Sequence, residues 1–210
     1  MEYIKRDCSV QFSLKLTGEG RQTCDFSFFG EKHHFWISYA MGQLFGSLLD
    51  SVYGLCFEAH ECQSGHFVEH VISSEESSCG AIIKSIGKSQ WDCEGGTLDW
   101  TLVRNWEGDT SFVDVTLDYD SGDKVFNYRV EMADLCYAIA KAMTEVLKRD
   151  GFCGYHFSTI VDDINLVRLL VVKHMGFCGT APYLIATHSI EEALYRSSLE
   201  EEIQLLQADM

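Results

Sequence analysis

The chain has a single proline, Pro182, in 210 residues. No proline-, serine- or glycine-rich linker divides it, which favours one compact unit spanning 1–210 over two tethered domains. Basic residues are scarce. Sixteen Lys and Arg stand against 32 Asp and Glu, for a net charge of −16. That balance argues against nucleic acid and anionic membrane as general partners, because both attract cationic surfaces. It favours a cationic protein, although acidity also serves solubility alone.

Other absences narrow the chemistry. Nine cysteines occur but no Cys-x-x-Cys pair, so the usual paired-cysteine zinc framework is missing. The count is odd, and no signal peptide precedes the first alternating segment. Reduced thiols in a cytoplasm are the expectation. No phosphate-binding glycine loop is present, since Gly95-Gly96 has no helix after it. No protease-like cysteine signature occurs. Cys56, Cys136, Cys153 and Cys178 neighbour apolar residues and read as core. The most apolar segment, Phe35 to Phe57, carries before Asp50 an apolar run of only about fifteen residues, broken by Gln43, short for a membrane span. It is expected to form a buried helix, despite the small-xxx-small spacing of Gly42 and Gly46.

What is present is an apolar chain, 46% hydrophobic and 12% aromatic, able to bury a sizeable core. Its organising block runs from Gly95 to Gly151. Leu98, Trp100 and Leu102 alternate with polar residues and continue to Trp106; Val113, Val115, Leu117 and Tyr119 alternate next; then Phe126, Tyr128 and Val130. Period two marks half-buried strands. The turns Glu107-Gly108-Asp109 and Asp120-Ser121-Gly122-Asp123 are short, which predicts an antiparallel meander. The period then changes. Met132, Leu135, Cys136, Ile139, Met143, Val146 and Leu147 recur at three and four, one helical stripe facing the sheet. Glu131 and Asp134 open that helix and Lys148 and Arg149 close it, as the helix dipole prefers. Gly151 is placed to cap it in a left-handed conformation.

Before the block, Val10, Phe12, Leu14 and Leu16 predict one strand, and Cys24, Phe26 and Phe28 a second, joined as a hairpin. His66 to Ile72 and Ala81 to Ile86 suit two short strands. After it, Ser158 or Thr159 is expected to cap a helix that Gly176 ends near His174. A last helix, from about Ser189, has Glu192 in a capping box and can lie at the periphery. Together these elements predict an α+β fold: a mainly antiparallel sheet, N-terminal hairpin plus central meander, packed with an apolar helix and a long amphipathic helix, with further helices at the C-terminus. Helix is expected to exceed strand.

Ile37-Ser38-Tyr39 before the apolar helix, Glu94-Gly95-Gly96-Thr97-Leu98-Asp99-Trp100, and Phe152-Cys153-Gly154-Tyr155 carry a resemblance. Over about residues 35 to 155 the chain resembles a diffuse group of uncharacterised bacterial proteins. Some of these look like immunity proteins of polymorphic or contact-dependent toxin systems. The resemblance implies a protein that binds and neutralises a cognate toxin, and no catalytic residues or cofactor come with it.

Two residue sets remain as candidate sites. Between Trp91 and Val130 lie nine acidic and three basic residues. Asp99, Asp109, Asp114, Asp118, Asp120 and Asp123 stand on or beside one sheet. Of these, Asp109, Asp114, Asp118, Asp120 and Asp123 are expected to form the contact surface for a basic partner, a nuclease-type toxin above all, through electrostatic steering. The alternative to docking is a plain solvated face. His60, Cys62, His66 and His70 form the most metal-like cluster, and imidazole and thiolate suit zinc. Their spacing matches no compact zinc motif; a metal-dependent enzyme is the alternative function, and a general interaction subunit the third. His33-His34 reads as a solvated pair.

Overall fold

A computed structural model of the chain describes residues 8–16, 21–38, 44–56, 68–73, 82–93, 96–159, 164–180 and 199–210. Among them are eight strands and four helices. The strands are β1 (Val10–Leu16), β2 (Arg21–Phe28), β3 (Glu31–Ser38), β4 (Val68–Ser73), β5 (Ile82–Cys93), β6 (Gly96–Glu107), β7 (Thr110–Tyr119) and β8 (Lys124–Glu131). The helices are α1 (Leu44–Leu55), α2 (Met132–Thr159), α3 (Leu166–Cys178) and α4 (Leu199–Gln207). The α+β class expected from the sequence is what the chain adopts, with every strand pair antiparallel.

The strands form two sheets, β1-β2-β3 and β4-β5-β6-β7-β8. The N-terminal hairpin is therefore a three-stranded sheet. Phe35 to Ser38, expected to begin the apolar helix, belong to β3 instead. The alternation decides it: Phe35 and Ile37 are buried while His34 and Trp36 are exposed. The helix starts only at Leu44. Strands also hold more of the described residues than helices do, opposite to expectation. The extra strand is β3, and β5 runs well past Ile86.

The two sheets face each other through aromatic rings. Phe26 is the hub. Its ring centroid lies 4.5 Å from Phe12, 5.2 Å from Phe35, 5.2 Å from Trp100 and 5.9 Å from Trp91. Phe28 stacks on Tyr128 at 4.8 Å. Such pairs add roughly 0.5–1.5 kcal/mol each beyond the area they bury. Trp91 and Trp100 are fully enclosed.

The helices complete the core. α1 lies across β5 at Gly87, where a Cβ would sit 2.8 Å from the Ser51 carbonyl oxygen. Ser51 Oγ donates to the Lys88 carbonyl at 2.6 Å, and Ser47 and Ser89 share a hydrogen bond of 2.7 Å. These bonds satisfy polar groups that burial would otherwise penalise. The buried Arg104 donates to the carbonyl of Leu55 at the end of α1 and, at 2.8 Å, to Ser111 Oγ.

α2 buries the expected stripe except Leu147, which is partly buried, and also Tyr137, Ala138, Ala140 and Ala142. It is covered on more than one side, because α3 packs against it through Gly176. Three boundaries differ from expectation. Gly151 has a positive φ of 70°, but its ψ of 166° makes it a break within α2 rather than a left-handed cap. α3 is capped by Asn165, whose side chain accepts from the Arg168 amide at 3.1 Å, not by Ser158 or Thr159. Gly179, in the left-handed region at φ 73° and ψ 3°, ends it in place of Gly176. The stretch expected to open the last helix, 189–198, lies outside the described residues; α4 docks through Leu205.

Candidate functional site

The outer face of the five-stranded sheet is built by alternation. Leu98, Trp100, Leu102, Val113, Val115 and Leu117 point inward. Asp99, Thr101, Val103, Asp114, Thr116 and Asp118 therefore point outward, each partly exposed. The loop between β6 and β7 has two residues, Gly108 and Asp109, because Glu107 pairs with Thr110. Gly108, at φ 60°, supplies the positive angle that such a tight hairpin demands. That loop fixes the register of every pair behind it.

The register sorts the candidate carboxylates into three places. Asp99 on β6 stands directly opposite Asp118 on β7. Beyond Asp118 a register shift at Leu117/Asp118 leads into the turn that carries Asp120 and Asp123. The Asp120 amide donates to the Thr97 carbonyl at 3.1 Å, and its carboxylate sits over Gly96, where a Cβ would lie 3.2 Å from Oδ1. Asp123 accepts from Ser121 Oγ at 2.9 Å. Asp99, Asp118, Asp120 and Asp123 are thus gathered at one end of the sheet. Lys124, the register partner of Asp118, is the basic residue beside them.

Asp114 is different. It accepts from Asn105 Nδ2 at 2.7 Å and lies 3.7 Å from Arg129 Nε. Arg129 also pairs with Glu107 at 2.8 Å. Asp114 therefore belongs to a cross-strand network in which Arg129 is shared between two carboxylates. Asp109 is exposed in the β6–β7 loop, at the opposite end of a ten-residue strand, roughly 30 Å from Asp120 at ~3.3 Å per residue. The five expected residues do not form one cluster. Asp118, Asp120 and Asp123 come together, and Asp99 joins them. Asp99 is among the meander aspartates but outside the expected contact surface; the two-residue loop is the signal for its place, since loop length sets which β6 residue faces Asp118.

The histidine pair separates across β3. His33 turns toward the core, with its ring 4.8 Å from Phe126 and Nε2 3.1 Å from Tyr128 Oη. Burial, reinforced by Glu31, pushes the Tyr128 hydroxyl up to about 12. His34 points outward and pairs with Asp25. A solvated pair was expected; period-two alternation places neighbours on opposite faces. Of the metal candidates, His60, Cys62 and His66 lie outside the described residues, and His70 lies in β4 with its side-chain surroundings outside the description. Among the described residues no group of three or more His, Cys, Asp or Glu is arranged to hold a metal ion.

Cys24, Cys56 and Cys136 are buried. Burial holds the Cys24 and Cys136 thiols well above their ordinary range, for Cys136 with help from Cys56 and against Arg104. Thiols kept protonated in this way are poor nucleophiles. Cys178, expected in the core, is exposed at the end of α3 beside its cap; Cys153 has its side chain outside the description. No helix among the described residues is long and apolar enough to cross a membrane. Comparison of the chain with family models, with curated proteins and with solved structures gives no match.

Proposed function

We propose that the chain is an acidic protein-binding module that docks a basic protein, in the manner of an immunity protein neutralising a bacterial toxin. The Asp99, Asp118, Asp120 and Asp123 end of the sheet is the docking surface. One observation carries this. Asp99 and Asp118 stand directly opposite each other on neighbouring strands. Like charges in that position destabilise a sheet by roughly 0.2–1 kcal/mol. Either carboxylate replaced by its amide keeps the shape and removes the repulsion. Gln90 Nε2 donates to Asp99 at 2.7 Å and Lys124 stands opposite Asp118, so the fold holds the two carboxylates side by side, where a basic partner gains association rate from them. A nuclease-type toxin is the favoured partner, because a site that holds phosphates is itself basic. A cytoplasmic location goes with this proposal.

The test uses the double variant Asp99→Asn/Asp118→Asn. On its own it should melt at the same temperature as the parent or slightly higher. Against the toxin domain encoded beside its gene, association should slow on the order of tenfold at low salt, with a weaker salt dependence. A variant that binds at the parental rate while Glu200, Glu201 and Glu202 prove essential would move the surface to α4. A neighbouring protein that is harmless and does not bind would leave the general interaction subunit as the better description.

A further inference from the structure

The other sheet presents a second outward face, and its charge balance is reversed. On β1-β2-β3 the register aligns Gln11 with Ser27 and Ser27 with Lys32, and in the next row Ser13 with Asp25 and Asp25 with His34. These residues line a cavity of about 710 Å³. α2 contributes Tyr137, Ala138 and Lys141 to the same wall. The volume lies within the range of small-molecule sites.

In the whole chain acids outnumber bases two to one, 32 to 16. In this lining two lysines, Lys32 and Lys141, meet one carboxylate, Asp25. That carboxylate is engaged by His34. Neither lysine side chain has a hydrogen-bond or ion-pair partner among the described residues, and the same holds for the side chains of Gln11, Ser13 and Ser27. Two cations and three neutral polar side chains thus line one cavity without protein partners among the described residues, Lys32 and Gln11 exposed and the others half-buried.

We propose that this cavity binds a small organic phosphate, a phosphate ester with a compact apolar body. The lysines and the serine hydroxyls hold the head group. Lysine is a point charge with three donors, suited to the several acceptor oxygens of a phosphate. No arginine is among the described residues of the lining, so the head group is held by lysine point charges rather than by a planar bidentate fork. The apolar body lies along Tyr137 and Ala138. This proposal is independent of the docking surface, which lies on the other sheet.

Calorimetric titration of the full chain with phenyl phosphate, inorganic phosphate and benzoate tests it. Phenyl phosphate should bind saturably with a Kd below 1 mM, at least tenfold tighter than either of the others. Lys32→Met/Lys141→Met should weaken it at least tenfold while the melting temperature stays put. In the unmodified protein, amide shifts on adding phenyl phosphate should centre on Ser13, Ser27 and Lys32, a readout that needs no variant to fold. No saturable binding of any probe overturns the proposal, as does binding that ignores both lysines or shifts that centre elsewhere. Benzoate bound tighter than phenyl phosphate overturns the phosphate assignment. Inorganic phosphate bound as tightly as phenyl phosphate overturns the apolar body.

Discussion

Gly176 in α3 lies against the backbone of Tyr137 in α2 so closely that a Cβ on Gly176 would sit 2.7 Å from the Tyr137 nitrogen and Cα. The atoms in the way are backbone, which cannot swing aside as a side-chain tip does. Gly176 also sits within a helix, where alanine is the better helix former by roughly 0.8–1 kcal/mol. Local propensity therefore favours Gly176→Ala and packing opposes it. Packing should win, with a net loss of about 1–3 kcal/mol, the usual scale of overpacking. Denaturant unfolding measures it. A midpoint that rises would mean the two helices do not approach this closely.

That contact also marks the boundary of what the sequence makes legible. Period-two alternation finds β1, β2, β6, β7 and β8, because each buries one face only. It locates the stripe of α2 for the same reason. It is silent on Gly176, where the informative property is a missing side chain and the partner is nearly forty positions away. A glycine late in an apolar run looks like a helix end; here Gly179, three residues on, does that work. β3 is missed for another reason. Phe35-Trp36-Ile37 is apolar at every position, so periodicity cannot separate strand from helix. Only the buried Phe35 and Ile37 flanking an exposed Trp36 resolve it. The acidic site is legible by composition and blurred in space. Charge counting collects Asp99 and Asp109 to Asp123 alike; only the strand register splits off Asp109 and Asp114 and sets Asp99 opposite Asp118.

Lys173 is a buried lysine of α3. Its Nζ donates to the carbonyls of Leu206 and Ala208 at 3.1 and 2.7 Å, closing the C-terminal end of α4. Burial lowers its pKa to about 8, with Lys148 adding to the shift and Asp209 opposing it. In the unfolded chain the group titrates near 10.4. Between those values the unfolded state binds more protons than the folded one, so stability rises as pH increases. Below pH 8 both states are charged, and the contribution is constant and unfavourable. The stability difference between the parent and Lys173→Met should therefore grow in the parent's favour from pH 8 to about 10.4 and be flat from 6 to 7.5. A difference that is flat throughout would place the ammonium in solvent. Carbon NMR of the Lys173 side chain should give the midpoint directly.

The β2–β3 turn yields a substitution expected to stabilise. Phe28 pairs with Glu31, so the loop is Phe29-Gly30. Both residues have positive φ, 51° and 88°. Tight hairpins of this kind favour Asn-Gly, because asparagine tolerates the left-handed region. A side chain such as phenylalanine pays roughly 1–2 kcal/mol there. Little offsets that penalty. The Phe29 ring is 61% exposed, and its centroid is 6.4 Å from Tyr128, whose closer stacking partner is Phe28. Phe29→Asn should raise stability by about 0.5–1 kcal/mol, part of the strain it relieves. Phe29→Gly relieves the same strain but loosens the unfolded chain, so its gain should be smaller. Phe29→Ala keeps the strain and removes the ring, which makes it the control. If Asn proves no more stable than Ala, the turn is not strained at this residue. If both fall well below the parent, the ring's contact with Tyr128 outweighs the backbone, and the exposed aromatic is part of the fold rather than a burden on its turn.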